Sequence, residues 1–594
     1  MTTTSSAMLI GLDVGGTNTD AVLIDALTGV VVDSVKSPTR AGDVLPGIME
    51  ALGALLRDKD AALVRRVSVS TTLGLNAILS GSTIPVGMLV VPGPGTDPRL
   101  FWQEDPLLHV LSGAQDHRGR IISRPPEEEV SRALKECRLQ GAGALGIVCK
   151  FSPKNPDLEN SIADFAAKEL GDTIPVVCGS SISGSLNFPR RMHTTWCAAA
   201  LTHVMRSFIQ GLERGTRELG LTCPLVVLKA DAGVFSAAGA VHDPAGSIGS
   251  GAAASLLGVW ALGGGIRSRK DSGDTLMIDM GGTTTDFAFL AHGEPLLAPG
   301  GLTVGGRPTL IRSLWTRSIA LGGDSSLRIE QDGRLTIGPD RLGPALSLTP
   351  EEAEMEKRPP TLTDALNVLQ VAALGDTGAS TQAMARLAGQ SNSPASDAQS
   401  LSRMFVDAVL ARIRSEAGSL LEEVNSQPVY TIRELLVPSR LKPGRAVFIG
   451  GPAKSLAGEV QRALGLPVFV PEASSCANAV GAALARPTQA AELYADTQIG
   501  RMRIPEMSVE KAIATSYSLD DARQDMVNAF LANGYSHMDR KKMDTKDVQI
   551  IYAESFATLD DRGRRGRNIR VRAQKSAGLL DLGTGAFAGE GRGK

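Results

Sequence analysis

The feature that most constrains this 594-residue chain is a short stretch that occurs twice. Asp13 to Asp20 reads DVGGTNTD, and Asp279 to Asp286 reads DMGGTTTD. Each sets two aspartates around a Gly-Gly-Thr turn. Apolar runs enter both copies (Met8 to Leu12, Leu276 to Ile278) and leave both (Ala21 to Ile24, Phe287 to Leu290). Short apolar runs on either side of a glycine turn predict a β-hairpin. Gly15, Gly16, Gly281 and Gly282 lack a Cβ, so a phosphate can come close to the backbone. Consecutive N–H groups in a tight turn form an anion nest. Thr17, Thr19, Thr283 and Thr285 offer hydroxyl donors. Asp13 and Asp279 fall at strand ends, where a carboxylate can hold a magnesium ion through water. One copy is equally consistent with a hairpin that binds nothing; two matched copies favour a phosphate site.

A chain of this length predicts several domains, because single cores rarely grow past about 250–300 residues. The net charge of −2 implies neither a nucleic-acid partner nor an anionic membrane surface. No apolar run reaches the roughly 18 residues of a membrane span, and the N-terminus lacks a basic leader, so the expectation is a cytoplasmic protein. The six cysteines form no C-x-x-C pair and read as buried, reduced thiols.

Along the chain, a strand ends at Lys36 to Thr39 and a helix is predicted over 43–56. The stretch Thr71 to Ala77 reads as a strand entering a polar helix start, whose hydroxyls either cap the helix or face a ligand. Residues 100–190 alternate helix and strand, and a long helix follows Asn187 to Arg191. Ser247 to Ala254 opens a helix with glycines and serines, which suits either a phosphate or close helix packing. Leu321 to Ser326 gives a second glycine pair, followed by Asp324, a catalytic carboxylate or a turn-capping one. Residues 375–400 are small and polar and are expected to be a surface loop or linker. Strand 446–449, the Gly450-Gly451-Pro452-Ala453 turn and a helix to Leu464 can seat an adenosine face. From Gln498 the chain becomes a charge-rich α/β tail. Arg562 to Asn568 is expected to be a solvated hairpin turn, and Gly583 to Lys594 a frayed end.

This order of motifs resembles the actin/hexokinase/Hsp70 ATPase architecture. The resemblance implies an α/β fold of two RNase H-like (actin-like ATPase) lobes, with an inserted α/β segment and a small C-terminal domain. In that architecture each lobe gives a hairpin to the phosphates of a nucleotide bound between them. More specifically, the chain resembles the hydantoinase A / 5-oxoprolinase family. The stretches that carry this are IGLDVGGTNTDAVLID, TTLGLNAIL at Thr71, PRRMHTTWCAAAL, KADAGVFS at Lys229, SGAAAS at Ser250, MIDMGGTTTDFAFL and PTLTDALNVL at Pro360. The implied domains are an N-terminal region 1–190 with the first phosphate hairpin, an ATPase domain 191–490 with the second hairpin and adenosine motif, and a C-terminal region 491–594.

What the resemblance implies about function is an ATP-dependent hydrolase subunit that phosphorylates a cyclic amide, lactam or hydantoin carbonyl for ring opening, with ATP and Mg2+. Gly15, Gly16, Thr17, Asn18, Thr19, Gly281, Gly282, Thr283 and Thr284 would cradle phosphates. Asp13 and Asp279 would hold magnesium. Asp286 and Asp20 would orient hairpins or water, and Gly450, Gly451 and Ala453 would meet adenosine. Asp13, Asp279, Asp286 and Asp324 form the candidate catalytic set. The chain departs from the family at Leu321 to Ser325, usually Gly-Ala-Gly-Gly-Gly-Ser, and at Arg341 to Leu346, usually Pro-Gly-Pro-Ala-Cys-Tyr-Gly. Those departures leave the substrate open. Alternatives are a small-molecule kinase, an ATP-dependent ketone carboxylase subunit, or a non-enzymatic ATP-driven conformational switch. The sequence shows no Ser-His-Asp set, no H-x-H pair and no reactive-cysteine setting. A hydantoinase B-type partner subunit, common in the family, is therefore expected.

Overall fold

The computed structural model describes residues 7–40, 42–102, 105–171, 174–263, 273–349, 358–390, 392–426, 440–532, 543–559 and 563–580. The chain packs as two units. One comprises Met1–Ala253, Ala298–Ser313 and Ala482–Lys594; the other comprises Ala254–Leu297 and Leu314–Gly481.

The first unit is built on a six-stranded sheet in the order Val234–Ser236, Leu225–Leu228, Val64–Thr71, Met8–Val14, Asn18–Asp25, Val31–Pro38. The last three strands form an antiparallel meander, and Val64–Thr71 and Leu225–Leu228 add in parallel. This is an RNase H-like strand order. Helices Leu45–Leu56 and Phe188–Glu218 bury Ile48, Leu52, Phe208 and Leu212 against Ile10, Leu12, Val67 and Val69. Asn187 caps the long helix by accepting the Arg190 N–H, so the helix starts a turn before the expected Met192.

An inserted four-stranded parallel sheet (Val176–Cys178, Ala144–Cys149, Val86–Val91, Leu108–Val110) follows the first. Its central strands are buried at every position, as parallel strands covered on both faces must be. The C-terminal sheet is antiparallel, in the order Val509–Ala512, Arg501–Ile504, Gln489–Asp496, Arg565–Lys575, Gln549–Leu559. Helix Leu519–Ala532 lies on it, burying Met526 and Phe530 against Leu493 and Val571.

The second unit repeats the order. Glu294–Pro295, Thr285–Ala291, Thr275–Met280, Arg445–Ile449 and Val468–Phe469 are neighbours, and Thr316–Ile319 pairs antiparallel with Thr285–Ala291. Helices Ala398–Asn425 and Ala453–Leu464 supply Val409, Ile413, Leu456 and Val460 to a core with Ile278, Phe287 and Phe448.

Residues 191–253 pack with the first unit, because Leu225–Leu228 pairs with Val64–Thr71 and Phe188–Glu218 covers that sheet. One expectation needs correction. Residues 375–400 are not a loop, since Thr377–Ala388 is a helix. Its N-cap Asp376 accepts from Gly378 and Ala379, and its buried stripe of Ala379, Ala383, Met384 and Leu387 is mostly too small to stand out as apolar periodicity. Asp560 to Arg562 and Gly583 to Lys594 lie outside the described residues.

The helix opened by Ser250 crosses Ala477–Leu484 at glycines. A Cβ on Gly258 would stand 2.1 Å from the Ala477 carbonyl oxygen, and one on Gly481 would stand 2.0 Å from that of Ala254. The backbones touch, so added volume forces the helices apart. We expect Gly481→Val to destabilise the protein by about 1–3 kcal/mol, read as a lowered urea midpoint. An unchanged midpoint would show that this crossing is not tightly packed.

Candidate functional site

The two turns share one geometry. Gly15 N–H donates to the Asn18 carbonyl at 3.0 Å, and Gly281 N–H to the Thr284 carbonyl at 2.9 Å. Each closes a four-residue loop between Val14 and Thr19 or Met280 and Thr285. Gly16, Gly282, Thr283 and Thr284 are exposed. The backbone N–H groups of Gly16, Thr17, Gly282, Thr283 and Thr284 meet no acceptor among the described residues. Such a row of donors fits the oxygens of a phosphate.

The second threonine of each copy behaves otherwise. Thr19 and Thr285 are fully buried. The Thr19 hydroxyl meets that of Thr39 at 3.2 Å, and the Thr285 hydroxyl donates to the Leu321 carbonyl at 2.6 Å. Strand alternation points these side chains inward, so their hydroxyls brace the hairpin and are not phosphate donors. Ser250 is likewise committed. Its hydroxyl accepts the Thr71 N–H and donates to the Thr71 carbonyl, tying a helix start to a strand end. The Thr71 hydroxyl accepts the Leu73 N–H, a capping role.

In the second unit the fold gathers most of the expected residues. Asp279 is buried, and one carboxylate oxygen accepts from Ser255 Oγ at 2.6 Å and Asn478 Nδ2 at 3.1 Å. The Leu321 to Ser326 loop lies on the hairpin turn. Gly323 N–H donates to the Gly281 carbonyl at 3.0 Å, and Asp324 N–H to that of Gly282 at 2.7 Å. A Cβ on Gly282 would stand 2.7 Å from Asp324 Oδ2, so that carboxylate is at the turn. Burial raises the Asp324 pKa, and Arg341 opposes the shift through a 3.0 Å bond. Gly450, at φ +95°, abuts the Met280 carbonyl and Asp279 Oδ1. Gly451 is exposed, whereas Ala453 is fully buried with its methyl in the core.

In the first unit, Asp13 stands opposite Asp20 and beside Ser70. Lys36 pairs with Asp20 at 2.7 Å. The equivalent pair in the second unit is Asp279 opposite Asp286, and the residue matching Lys36 is Ser318. Sequence reasoning did not single out Ser255, Asn478, Lys36, Ser318 or Arg341. Only Asn478, a polar residue in a small-residue helix, carried a local signal.

Among the described residues no group of three or more His, Cys, Asp or Glu is placed to hold a metal ion. The six cysteines are free. Burial pushes the thiols of Cys137, Cys178 and Cys197 up to about 12, so none of these is a thiolate at neutral pH. No described helix is long and apolar enough to cross a membrane.

Ser318 at the place of Lys36 leaves Asp286 without a cation across the strand pair. Burial first, and then the Asp279 charge, push its carboxyl up to about 7, while the Ser318 hydroxyl pulls the other way. An acid raised on folding binds more protons folded than unfolded. Its contribution to stability therefore falls as pH rises from 3.8 towards about 7. In metal-free buffer, Asp286→Asn should lose less stability than the parent between pH 5 and pH 8, measured by urea unfolding. Equal losses would show that Asp286 is already ionised throughout.

A model of the hydantoinase/oxoprolinase family matches residues 191–491, and one of the hydantoinase/oxoprolinase N-terminal region matches residues 9–170. Caprolactamase subunit alpha of Pseudomonas jessenii is 25% identical over 364 residues, 56% of this chain and 50% of that protein. The chain thus spans about half the length of that relative. A nucleotide-free acetone carboxylase structure aligns over 97% of this chain and 88% of its own, with TM-score 0.69 and 16% identity. The structure of the ATP-dependent caprolactamase from Pseudomonas jessenii aligns over the same shares, with TM-score 0.66 and 17% identity. These two share the fold. With both hairpins inside the matched regions, the chain belongs to the hydantoinase/oxoprolinase family.

Proposed function

We propose that this chain is the ATP-using component of an enzyme that activates a cyclic amide for ring opening. The observation that carries the reading is the pair of matched turns, each an open row of N–H donors beside a strand-end aspartate. The family and the caprolactamase relative support the substrate class.

On this reading Gly16, Thr17 and Asn18, and Gly282, Thr283 and Thr284, bind phosphate oxygens through the backbone. Ser255 and Asn478 fix the Asp279 carboxylate, so it meets magnesium without reorganising. Asp13 does the same for the first turn. Magnesium, when bound, supplies neutralisation of charge on the transferred phosphoryl group. Gly450 and Gly451 present backbone to the adenosine. Asp286 and Asp324 are the groups available to take or orient a proton near the second turn. An amide oxygen that takes the γ-phosphoryl group, with ADP leaving, opens its carbon to attack by water; the ring C–N bond then breaks and phosphate is released. Ring opening at that carbon is assigned to a B-type partner subunit, since these residues offer no nucleophile for it.

The fold shared with acetone carboxylase favours a second reading, carboxylation of a ketone. Phosphate release decides between them. Hydantoin, 5-oxoproline and caprolactam should stimulate it when a co-purifying protein is present, and acetone with bicarbonate should not. Full lactam opening by the isolated chain would overturn the partner assignment. No magnesium-dependent ATP binding in calorimetry would overturn the reading as a whole.

Asp13→Asn and Asp279→Asn should each lower ATP turnover by about 3–4 kcal/mol of transition-state stabilisation, roughly 10²–10³-fold. Thermal midpoints should move little. Normal hydrolysis by both variants would remove the magnesium assignment.

A further inference from the structure

A cavity of about 380 Å³ opens in the first unit, between the inserted segment and the C-terminal sheet. None of its lining residues lies in either hairpin. Its volume falls in the range of small-ligand pockets.

Its cationic side is under-compensated. Lys154 Nζ donates to the His117 carbonyl at 2.8 Å and lies 5.8 Å from the Tyr494 ring centre. No carboxylate among the described residues forms an ion pair with it. Arg503 is 15% exposed, and its Nε is shielded from solvent with no hydrogen-bond partner. Its remaining contact with Glu510 is 3.4 Å long, and Arg501 shares that carboxylate. A buried donor left unmade costs about 1–3 kcal/mol, so an incoming acceptor is favoured there. Burial also lowers the Lys154 pKa, which an anion beside it would reverse.

The other walls combine fixed polar pairs with apolar side chains, and Glu554 also lines the cavity. Arg118 grips Asp496 with two bonds of 2.7 and 2.6 Å. The Tyr494 hydroxyl is held by Gly184 and Glu492, which locks the ring in place. Ile499 and Phe556 also line the cavity, and are 40% and 59% exposed. A ligand that covers these exposed apolar side chains removes them from water.

We propose that this cavity binds a small organic monocarboxylate, its carboxylate on Lys154 and Arg503 and its apolar body against Tyr494, Ile499 and Phe556. Two under-used cations match a monoanion, and the apolar wall selects against a bare inorganic ion. The site is independent of the nucleotide reading, because it uses none of the same residues.

Calorimetry on the full chain tests this with hexanoate, phenylacetate, hexanamide and inorganic phosphate as probes. Hexanoate and phenylacetate should bind saturably, at one per chain. Hexanamide and phosphate should bind at least tenfold more weakly. Lys154→Met should weaken hexanoate binding tenfold or more while magnesium–ATP binding stays unchanged, which reports an intact fold. Phe556→Ser, at an exposed position, should weaken phenylacetate binding several-fold. No saturable carboxylate binding, phosphate binding as tight as hexanoate binding, or unaltered affinity in both variants would each overturn the proposal.

Discussion

In the second unit, backbone segments meet where no side chain can stand. A Cβ on Gly322 would lie 2.5 Å from the Gly282 carbonyl group, and one on Gly450 would lie 2.1 Å from the Met280 carbonyl oxygen. Gly281 and Gly323 are joined by a backbone hydrogen bond in the same place. These contacts bring the hairpin, the Leu321 to Ser326 loop and the Gly450 turn within reach of one another. Asp279 and Asp324 are brought close to that turn as a result. Glycine is required here by close approach, and at Gly450 also by its positive φ. A methyl at Gly322 or Gly450 would push the hairpin, the loop and the Gly450 turn apart.

The two halves of the repeat are alike in backbone and unlike in charge. Lys36 compensates Asp20 in the first unit, where the second has only the Ser318 hydroxyl beside Asp286. One pair of aspartates is thus electrostatically settled, and the other holds a carboxyl near the point of neutrality at physiological pH. A carboxyl in that state can give or take a proton, which a salt-bridged one does poorly. The duplicated geometry thus carries unequal charge.

Asp364, within the PTLTDALNVL stretch, shows how a distinctive motif can be structural. It is fully buried and accepts from Thr361, Leu346, Ser347 and Ser380. Those bonds anchor a loop to a helix start. The helix Thr377–Ala388 went unseen for a related reason. Alanines bury well but barely mark a hydrophobic stripe, so its identity rests on packing that a local window does not register.

The sequence by itself determined the two hairpins, the turn that follows strand Arg445–Ile449, and the fold class. Each follows from local chemistry: apolar alternation, glycines without a Cβ, and carboxylates at strand ends. Strand alternation, read with the register, buries Thr19 and Thr285 while leaving Thr17, Thr283 and Thr284 at the turns. Only the tertiary structure decided what each carboxylate meets. Ser255 and Asn478 reach Asp279 from positions 24 and 199 residues away, and Arg341 reaches Asp324 from 17. Likewise, Arg118 meets Asp496 across 378 residues to wall the cavity of the first unit. Local propensity does not encode such pairings. They exist because burying sheets and helices in a common core fixes which distant polar groups must satisfy one another.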